Sequence, residues 1–187
     1  MGWLRLKTGQ VATGVMNARN TLTQRTVGPR CYSEVCMDAS GMKPGDRAGI
    51  IAFQSNYCTI GVECADDGTK SLVAMTHRNM GRRRPGPQQA GAEQPNPDTE
   101  ALRIPLTQDK VWLKIRYVFT PQEEGERADQ AFMSYSLDGK SWTDVDATLQ
   151  MSFSLDYFTG YRTGLYSFCT QQAGGYADFD YFRQAAY

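Results

Sequence analysis

The chain has 187 residues, and its 20 Lys and Arg balance its 20 Asp and Glu, so its formal net charge is zero. This balance excludes a polyanion binder that works through bulk charge, and the sequence holds no uncharged apolar run long enough to span a membrane. We therefore expect neither nucleic acid nor membrane as a partner. With 41% apolar residues, the chain can bury enough surface to fold rather than stay disordered.

Alternation of apolar and polar residues dominates the chain, and helical periodicity is nearly absent. In residues 111–119 the odd positions are apolar or aromatic, whereas Trp112, Lys114 and Arg116 share the other face. Turn residues interrupt such segments every eight to twelve positions, which is typical of an antiparallel sandwich or barrel. The pattern predicts an all-β fold of about a dozen strands, with one short helical turn near residues 155–158.

Several further strands and hairpins are predicted in chain order. Asp66, Asp67 and Gly68 form one turn signal, and Asp138 with Gly139 forms the strongest one. The segment 136–142 resembles the Asp-box hairpin of sialidases, in which the aspartate caps backbone amides and a tryptophan packs beneath the turn. The other predicted strands are 31–38, 47–53, 57–64, 69–76, 131–137, 163–170 and 176–183.

One stretch, at about residues 78–101, fits no packed element because it carries four prolines and three consecutive arginines. Strands on both sides of it are needed for one sheet. We therefore predict a single β-sandwich domain over residues 1–187 with a surface loop inserted there. The arginines are either a contact for phosphate or an acidic polymer, or a solvated segment.

The cysteine and histidine content argues against several classes of chemistry. The five cysteines form no C-x-x-C pair, which predicts buried free thiols rather than a zinc ribbon or disulfide scaffold. His77 is the one histidine, so mechanisms that rely on imidazole are disfavoured. Most carboxylates fall in turns, and no pair is spaced as a glycosidase acid and nucleophile. We predict no catalytic residues.

A metal site is a hypothesis for the last strand. Strict alternation places Asp178 and Asp180 on one face and Phe179 and Tyr181 on the other. Two carboxylates this close repel each other unless a cation or hydrogen-bond donors lie between them. A structural Ca²⁺ held by Asp178 and Asp180 is one interpretation. The alternative is neutralisation by backbone amides or by an arginine near the start of the chain.

Aromatic rings and planar polar side chains are the remaining residue types that could form a binding site. Sugar C–H faces stack on aromatic rings, and sugar hydroxyls pair with guanidinium and amide groups. Trp112 shares its face with lysine and arginine, so it is either a stacking platform or lies beneath the proline-rich loop. The candidate carbohydrate-binding residues are Arg19, Asn20, Gln24, Arg25, Gln54, Tyr57, Trp112, Phe158, Tyr161 and Arg162.

Six segments, taken in order, resemble the C-terminal β-sandwich domain of family 43 glycoside hydrolases, which are β-xylosidases and α-arabinofuranosidases. The similarity covers nearly the whole chain, and the loop at about 78–101 is its main departure. The matching segments are 18–29, 42–49, 52–57, 135–139, 158–162 and 177–182.

The resemblance implies a two-sheet, concanavalin A-like jelly roll without the family's catalytic five-bladed propeller. It implies a non-catalytic module that binds β-1,4-xylan, xylo-oligosaccharide or related hemicellulose. The alternative is a structural accessory domain that packs on the propeller and lends a loop, near 158–162, to its active site. Polysaccharide binding favours a secreted or periplasmic parent enzyme, whereas free thiols favour a reducing compartment, so the cytoplasm stays open as well.

Overall fold

The computed structural model describes residues 2–79, 98–153 and 159–187. Twelve strands and one short 3₁₀ helix (Val15–Asn17) make up the described part of the chain. The strands are β1 (Leu4–Lys7), β2 (Asn20–Arg25), β3 (Arg30–Asp38), β4 (Asp46–Phe53), β5 (Tyr57–Cys64), β6 (Lys70–His77), β7 (Thr99–Pro105), β8 (Lys110–Val118), β9 (Gln130–Ser136), β10 (Thr143–Gln150), β11 (Arg162–Cys169) and β12 (Tyr176–Ala186).

The strands form two antiparallel sheets of six. Sheet A has the order β1-β12-β3-β8-β9-β10, and sheet B has the order β2-β11-β4-β5-β6-β7. The prediction of an all-β, two-sheet sandwich is confirmed. No helix in the described ranges is long and apolar enough to cross a membrane.

Alternation along each central strand decides which side chains form the core between the sheets. On β8, Val111, Leu113 and Ile115 are fully buried and face sheet B, while Trp112 and Lys114 face outward. The same alternation continues on the neighbouring strand of sheet A, because Val35 of β3 lies opposite Leu113 and is buried as well. Each buried aliphatic side chain contributes about 1.5–3 kcal/mol relative to exposure.

The predicted hairpin at residues 136–142 is present, and its carboxylate caps the turn. Asp138 Oδ1 accepts hydrogen bonds from the backbone amides of Lys140 and Ser141, both at 2.7 Å. Gly139 has φ +73°, a conformation that favours glycine, and the ring it contacts belongs to Trp112. Trp142 instead lies against the Lys114 ammonium, 3.7 Å from its ring centre.

At one end of the sandwich, here called the loop end, lie the connecting residues 26–29, 54–56, 119–129, 151–153 and 159–161. The segment between β1 and β2, which carries the 3₁₀ helix, crosses the outer face of sheet B. There Val15 packs in a second apolar cluster with Tyr166 and Phe168. One outer face of the sandwich is therefore covered by a segment of the chain itself.

Two predicted features involve residues outside the described ranges. Most of the predicted insertion at about 78–101 lies there, and so does the predicted helical turn at 155–158. The strands on either side of the insertion, β6 and β7, pair with each other, as a surface insertion in one sheet requires. β7 begins at Thr99, so the predicted C-terminal limit of the insertion at 101 falls inside a strand.

Candidate functional site

At the loop end, Gln54 and Tyr161 lie close together, but their polar atoms bind the protein itself. Gln54 is fully buried, and its Oε1 accepts a 2.9 Å hydrogen bond from the Ser55 amide. The Tyr161 hydroxyl donates to the carbonyl of Asn56 at 2.9 Å and accepts from the Ser152 amide at 3.2 Å. Burial raises the pKa of Tyr161 to about 12. These side chains tie the β4–β5 loop to the segment that follows β10.

The predicted residues of β2 and of the start of β11 form a separate group along the edge of sheet B. Arg162 Nε donates to Thr23 Oγ1 at 2.8 Å, and Arg25 lies opposite Arg162 in register. Asn20 donates to the Lys7 carbonyl, and Gln24 donates to Gln184. Arg19 is exposed, and Phe158 lies outside the described residues. The nine predicted residues that lie in the described ranges therefore do not share one pocket.

Tyr57 lies on the outer face of sheet B, beside the one histidine. Its hydroxyl donates to Asp98 Oδ1 at 2.6 Å, and its ring stacks on His77 with 4.6 Å between centres. Burial and the Asp98 carboxylate raise the pKa of the Tyr57 hydroxyl well above its ordinary value. His77 Nδ1 lies 2.9 Å from the same Asp98 oxygen. The three side chains form one hydrogen-bonded cluster.

Next to this cluster lies a cleft, here called the sheet-B cleft, that the sequence reasoning missed. It runs along the outer face of β5 between Thr13–Val15 on one side and β6 on the other. Gly61 forms part of its floor, opposite the Tyr166 hydroxyl. Its lining includes Arg47, Thr59, Glu63, Val73, Met75, Asp98 and Phe168.

Trp112 lies on the opposite side of the molecule, on the outer face of sheet A. Its position on the strand is as predicted, and its ring contacts Gly139 of the hairpin. Beside it, the Glu34 side chain is 11% exposed. It forms ion pairs with Lys114 at 2.9 Å and Arg183 at 3.6 Å and accepts a hydrogen bond from the Tyr181 hydroxyl at 2.9 Å. This outer face is a layer of mutually paired side chains.

The predicted metal pair is separated by an irregularity in β12. A register shift between Phe179 and Tyr181 leaves Phe179 in the core and turns Tyr181 outward, so the predicted alternation is wrong at this point. Arg5 binds Asp178 with two hydrogen bonds of 2.8 and 2.7 Å, whereas Asp180 is exposed. No group of three His, Cys, Asp or Glu that could hold a metal occurs in the described ranges. Arg5 supplies the positive charge that the calcium hypothesis assigned to an ion, and calcium binding stays a prediction.

The five cysteines are free and buried, as predicted. Burial raises the pKa of the Cys58 thiol to about 12 and that of Cys36 to about 11. A thiol reacts as its thiolate, so these two side chains are unreactive near neutral pH.

Two six-stranded antiparallel sheets around one core define the class of concanavalin A-like sandwich domains. Residues 1–184 match the family described as "Beta xylosidase C-terminal Concanavalin A-like domain", and the chain belongs to that family. The resemblance noted in the sequence is thereby confirmed.

Relatives carry this domain within longer polypeptides. A β-xylosidase of Formosa agariphila is 28% identical over 202 residues, which cover 97% of this chain and 29% of that protein. In the structure of a bifunctional GH43-CE protein of Bacteroides eggerthii, the matching part is 37% identical with a TM-score of 0.83, over 99% of this chain and 21% of that one. An engineered GH43 enzyme, described as having endo-xylanase and exo-arabinofuranosidase activity, is 29% identical with a TM-score of 0.83. The match covers 100% of this chain and 34% of that one. The chain thus spans about a third or less of these relatives.

Proposed function

We propose that this chain is an accessory domain of a family 43 glycoside hydrolase that acts on xylan or related hemicellulose, and that its loop end packs against the catalytic propeller. The observation that carries the proposal is Phe153, which is 74% exposed at the loop end, three residues after β10 ends. Val27, at the same end, is 52% exposed. An apolar side chain this exposed at the end of a domain is suited to a contact with another domain.

The hydrogen bonds of the loop end support this role. Gln54 and Tyr161 hold the β4–β5 loop and the segments around β10 and β11 in one arrangement. A loop that helps to shape another domain's active site has to be held in position, since misplacement by about 1 Å costs catalysis heavily. The internal bonds provide that rigidity.

The same bonds weigh against sugar recognition by these residues. A sugar hydroxyl would have to replace partners that Gln54 and Tyr161 already have, and a buried polar group that loses its partner costs about 1–3 kcal/mol. Xylan binding through the ten predicted residues therefore stays a prediction.

For localisation, we propose that the parent enzyme works outside the cytoplasm or in the periplasm, where polymeric xylan is present. The free thiols do not oppose this, because burial raises the pKa values of Cys36 and Cys58 and hides the side chains from oxidants.

The test is Phe153→Ser in the full-length enzyme that carries this domain, with Leu137→Ser as the matched control. Leu137 is also exposed, at 43%, but lies in the β9–β10 hairpin at the opposite end of the sandwich. Because Phe153 would lose its apolar contact with the catalytic domain, we expect kcat/KM on xylobiose to fall at least about tenfold, which corresponds to about 1.4 kcal/mol. The control should keep wild-type activity. Equal activity of both variants and the wild type would contradict the proposal.

A further inference from the structure

One half of the last strand lies at an open edge of sheet A. β12 has 11 residues, but β1 pairs only with its first four, Tyr176 to Phe179. Residues 181–186 pair with β3 on one side, and on the other side no strand in the described ranges pairs with them. This half of β12 therefore presents backbone N–H and C=O groups to which a further strand can bind.

Next to this edge, apolar side chains of both sheets are incompletely covered. Leu4 lies opposite Phe179 in register, and Leu22 lies on the face of its partner Leu165. Both partners belong to the core, so the two leucines face inward, yet they are 45% and 52% exposed. With the half-buried Phe182 they line a strip between β12 and β2, here called the lateral seam.

Hydrogen bonds between the two sheets frame the lateral seam. At one end Asn20 donates to the Lys7 carbonyl. At the other end Gln24 donates to Gln184 of β12. Leu22 lies between Asn20 and Gln24 on the same face of β2, because alternate residues of a strand share a face. One added strand would cover the apolar strip between these two bonds.

The direction of β1 indicates which polypeptide segment can lie there. β1 is antiparallel to β12, so a chain that enters β1 comes from the side of residues 181–186. Trp3 lies beside the Lys110 ammonium while Leu4 faces inward, so the alternation of a strand continues one residue before β1. The family is described as a C-terminal domain, and the relatives carry it within longer polypeptides. A preceding segment of the parent enzyme is therefore placed to run along the open edge.

Two other sheet edges are less suited to an added strand. β7 carries Pro105, which lacks a backbone N–H, and β10 has a register irregularity between Asp144 and Thr148. A strand on the edge of β2 would have to begin a new pairing. The edge of β12 needs only the continuation of β1.

We propose that, in the parent enzyme, the segment preceding β1 extends that strand along residues 181–186 and places alternate apolar side chains over Leu22 and Phe182. Main-chain hydrogen bonds would hold it, as in other cases of strand addition. The connection between the two domains would then be fixed rather than flexible. This rests on the proposed function only in that the domain is part of a longer enzyme, and it does not involve the loop end.

The experiment is hydrogen–deuterium exchange, read residue by residue by mass spectrometry, on the 187-residue chain and on the full-length enzyme that carries it. In an antiparallel edge strand, alternate amides point away from the neighbouring strand and exchange fast. We expect the fast amides of residues 181–186 to slow at least about tenfold in the full-length enzyme, because the added strand bonds them. The amides of β7, on the far edge of sheet B, should exchange equally in both proteins.

The matched variants of the full-length enzyme are Leu22→Arg and Val11→Arg. The two native side chains are similarly exposed, at 52% and 54%, but Val11 lies outside the lateral seam, beside Cys169 at the end of β11. Leu22→Arg should lose most of the protection of residues 181–186, because a guanidinium group in the seam opposes apolar contact. Val11→Arg should keep it. Urea unfolding of both variants shows whether the fold is intact.

The variant Phe153→Ser separates this proposal from the proposed function. It changes the loop end and leaves the lateral seam intact, so residues 181–186 should stay protected in the full-length enzyme whatever its activity. Loss of protection in this variant would show that docking of the loop end, not an added strand, slows the exchange.

Three further outcomes would overturn the proposal. The first is equal exchange of residues 181–186 in the 187-residue chain and the full-length enzyme. The second is protection that survives Leu22→Arg. The third is slow exchange already in the 187-residue chain that is lost on dilution, because a second copy would then occupy the edge.

Discussion

The two outer faces of the sandwich are built in opposite ways. On sheet A, outward side chains pair with one another: Lys114 lies between Trp142, Tyr32 and Glu34, and Arg116 lies over Phe132. Every cation–π contact in the described part of the chain involves a strand of sheet A or a residue directly beside one. This face is closed by its own residues.

On sheet B, the outward positions include glycines at 49, 61 and 164. There Tyr166 and Phe168 pack with Ile51 and Tyr57 of the sheet and with Val15 of the crossing segment. The segment after β1 covers part of this face and leaves the sheet-B cleft beside it. The cleft therefore lies on the face that a segment of the chain covers in part, whereas on sheet A the outward side chains pack against one another.

The greatest loss of stability is expected for a substitution at Gly61, in the floor of the sheet-B cleft. Gly61→Ala places a Cβ 2.1 Å from the Ala48 carbonyl oxygen, a backbone atom that cannot rotate away. Overpacking of this kind costs about 1–3 kcal/mol and occasionally more, and we expect about 3 kcal/mol here. Urea unfolding followed by tryptophan fluorescence measures the loss. The control, Gly68→Asn, has open space around it and a φ of +83°, which asparagine accepts better than most residues, so it should lose much less. A Gly61→Ala loss no larger than the control's would show that the strands can separate to admit a side chain.

The second substitution tests how much the paired charges on sheet A contribute to stability. Glu34→Ala removes one carboxylate and leaves Lys114 and Arg183 without their shared partner. Removing one member of a buried pair costs about 3–5 kcal/mol, but the Arg183 side chain is 60% exposed and can turn to water. We therefore expect about 1–2 kcal/mol by urea unfolding.

The matched substitution on sheet B is Glu63→Ala, whose partners Arg47 and Arg103 are 39% and 40% exposed. Exposed pairs contribute little, so about 0.5 kcal/mol or less is expected. Equal losses for Glu34→Ala and Glu63→Ala would remove the proposed contrast between the two faces.

Regular strands were predictable because alternation alone reports which side of a strand is buried. It placed Val111, Leu113 and Ile115 inside and Trp112 outside, and the structure agrees. It failed at Asp180, because a bulge adds one residue to a strand and reverses the alternation beyond it. Nothing in the local sequence marks that extra residue.

The candidate site was harder to predict, because its parts are distant in sequence. The sheet-B cleft depends on the register of β4, β5, β6 and β11 and on where the segment after β1 crosses them. Composition does not give the register of the strands. Gly61 indicates a cleft only once the strands that pair with β5 are known. The side-chain amides were poor predictors of a sugar site for another reason. An amide that could bind a sugar can equally bind a backbone carbonyl, as Gln54 does with Gly160.

The smallest effect concerns the hairpin at the edge of sheet A, where Asp138 caps the turn that covers Trp112. Hydrogen bonds from the Ser141 and Lys140 amides lower the pKa of Asp138 well below its ordinary value of 3.8. Because folding lowers this pKa, the charged carboxylate stabilises the fold at pH values above its ordinary pKa. That stabilisation declines as the pH falls below about 4, because the unfolded chain then takes up the proton first.

Asp138→Asn keeps the shape of the cap and removes its charge. At about pH 6 we expect the variant to have a lower Tm than the wild type, by less than Glu63→Ala lowers it. The difference should shrink as the pH falls from about 5 to about 2.5. Differential scanning calorimetry at matched ionic strength measures it. The control is Asp146→Asn at an exposed position of β10, where a surface substitution should change the Tm little. A constant difference for Asp138→Asn would mean that the shape of the side chain, not its charge, holds the turn against Trp112.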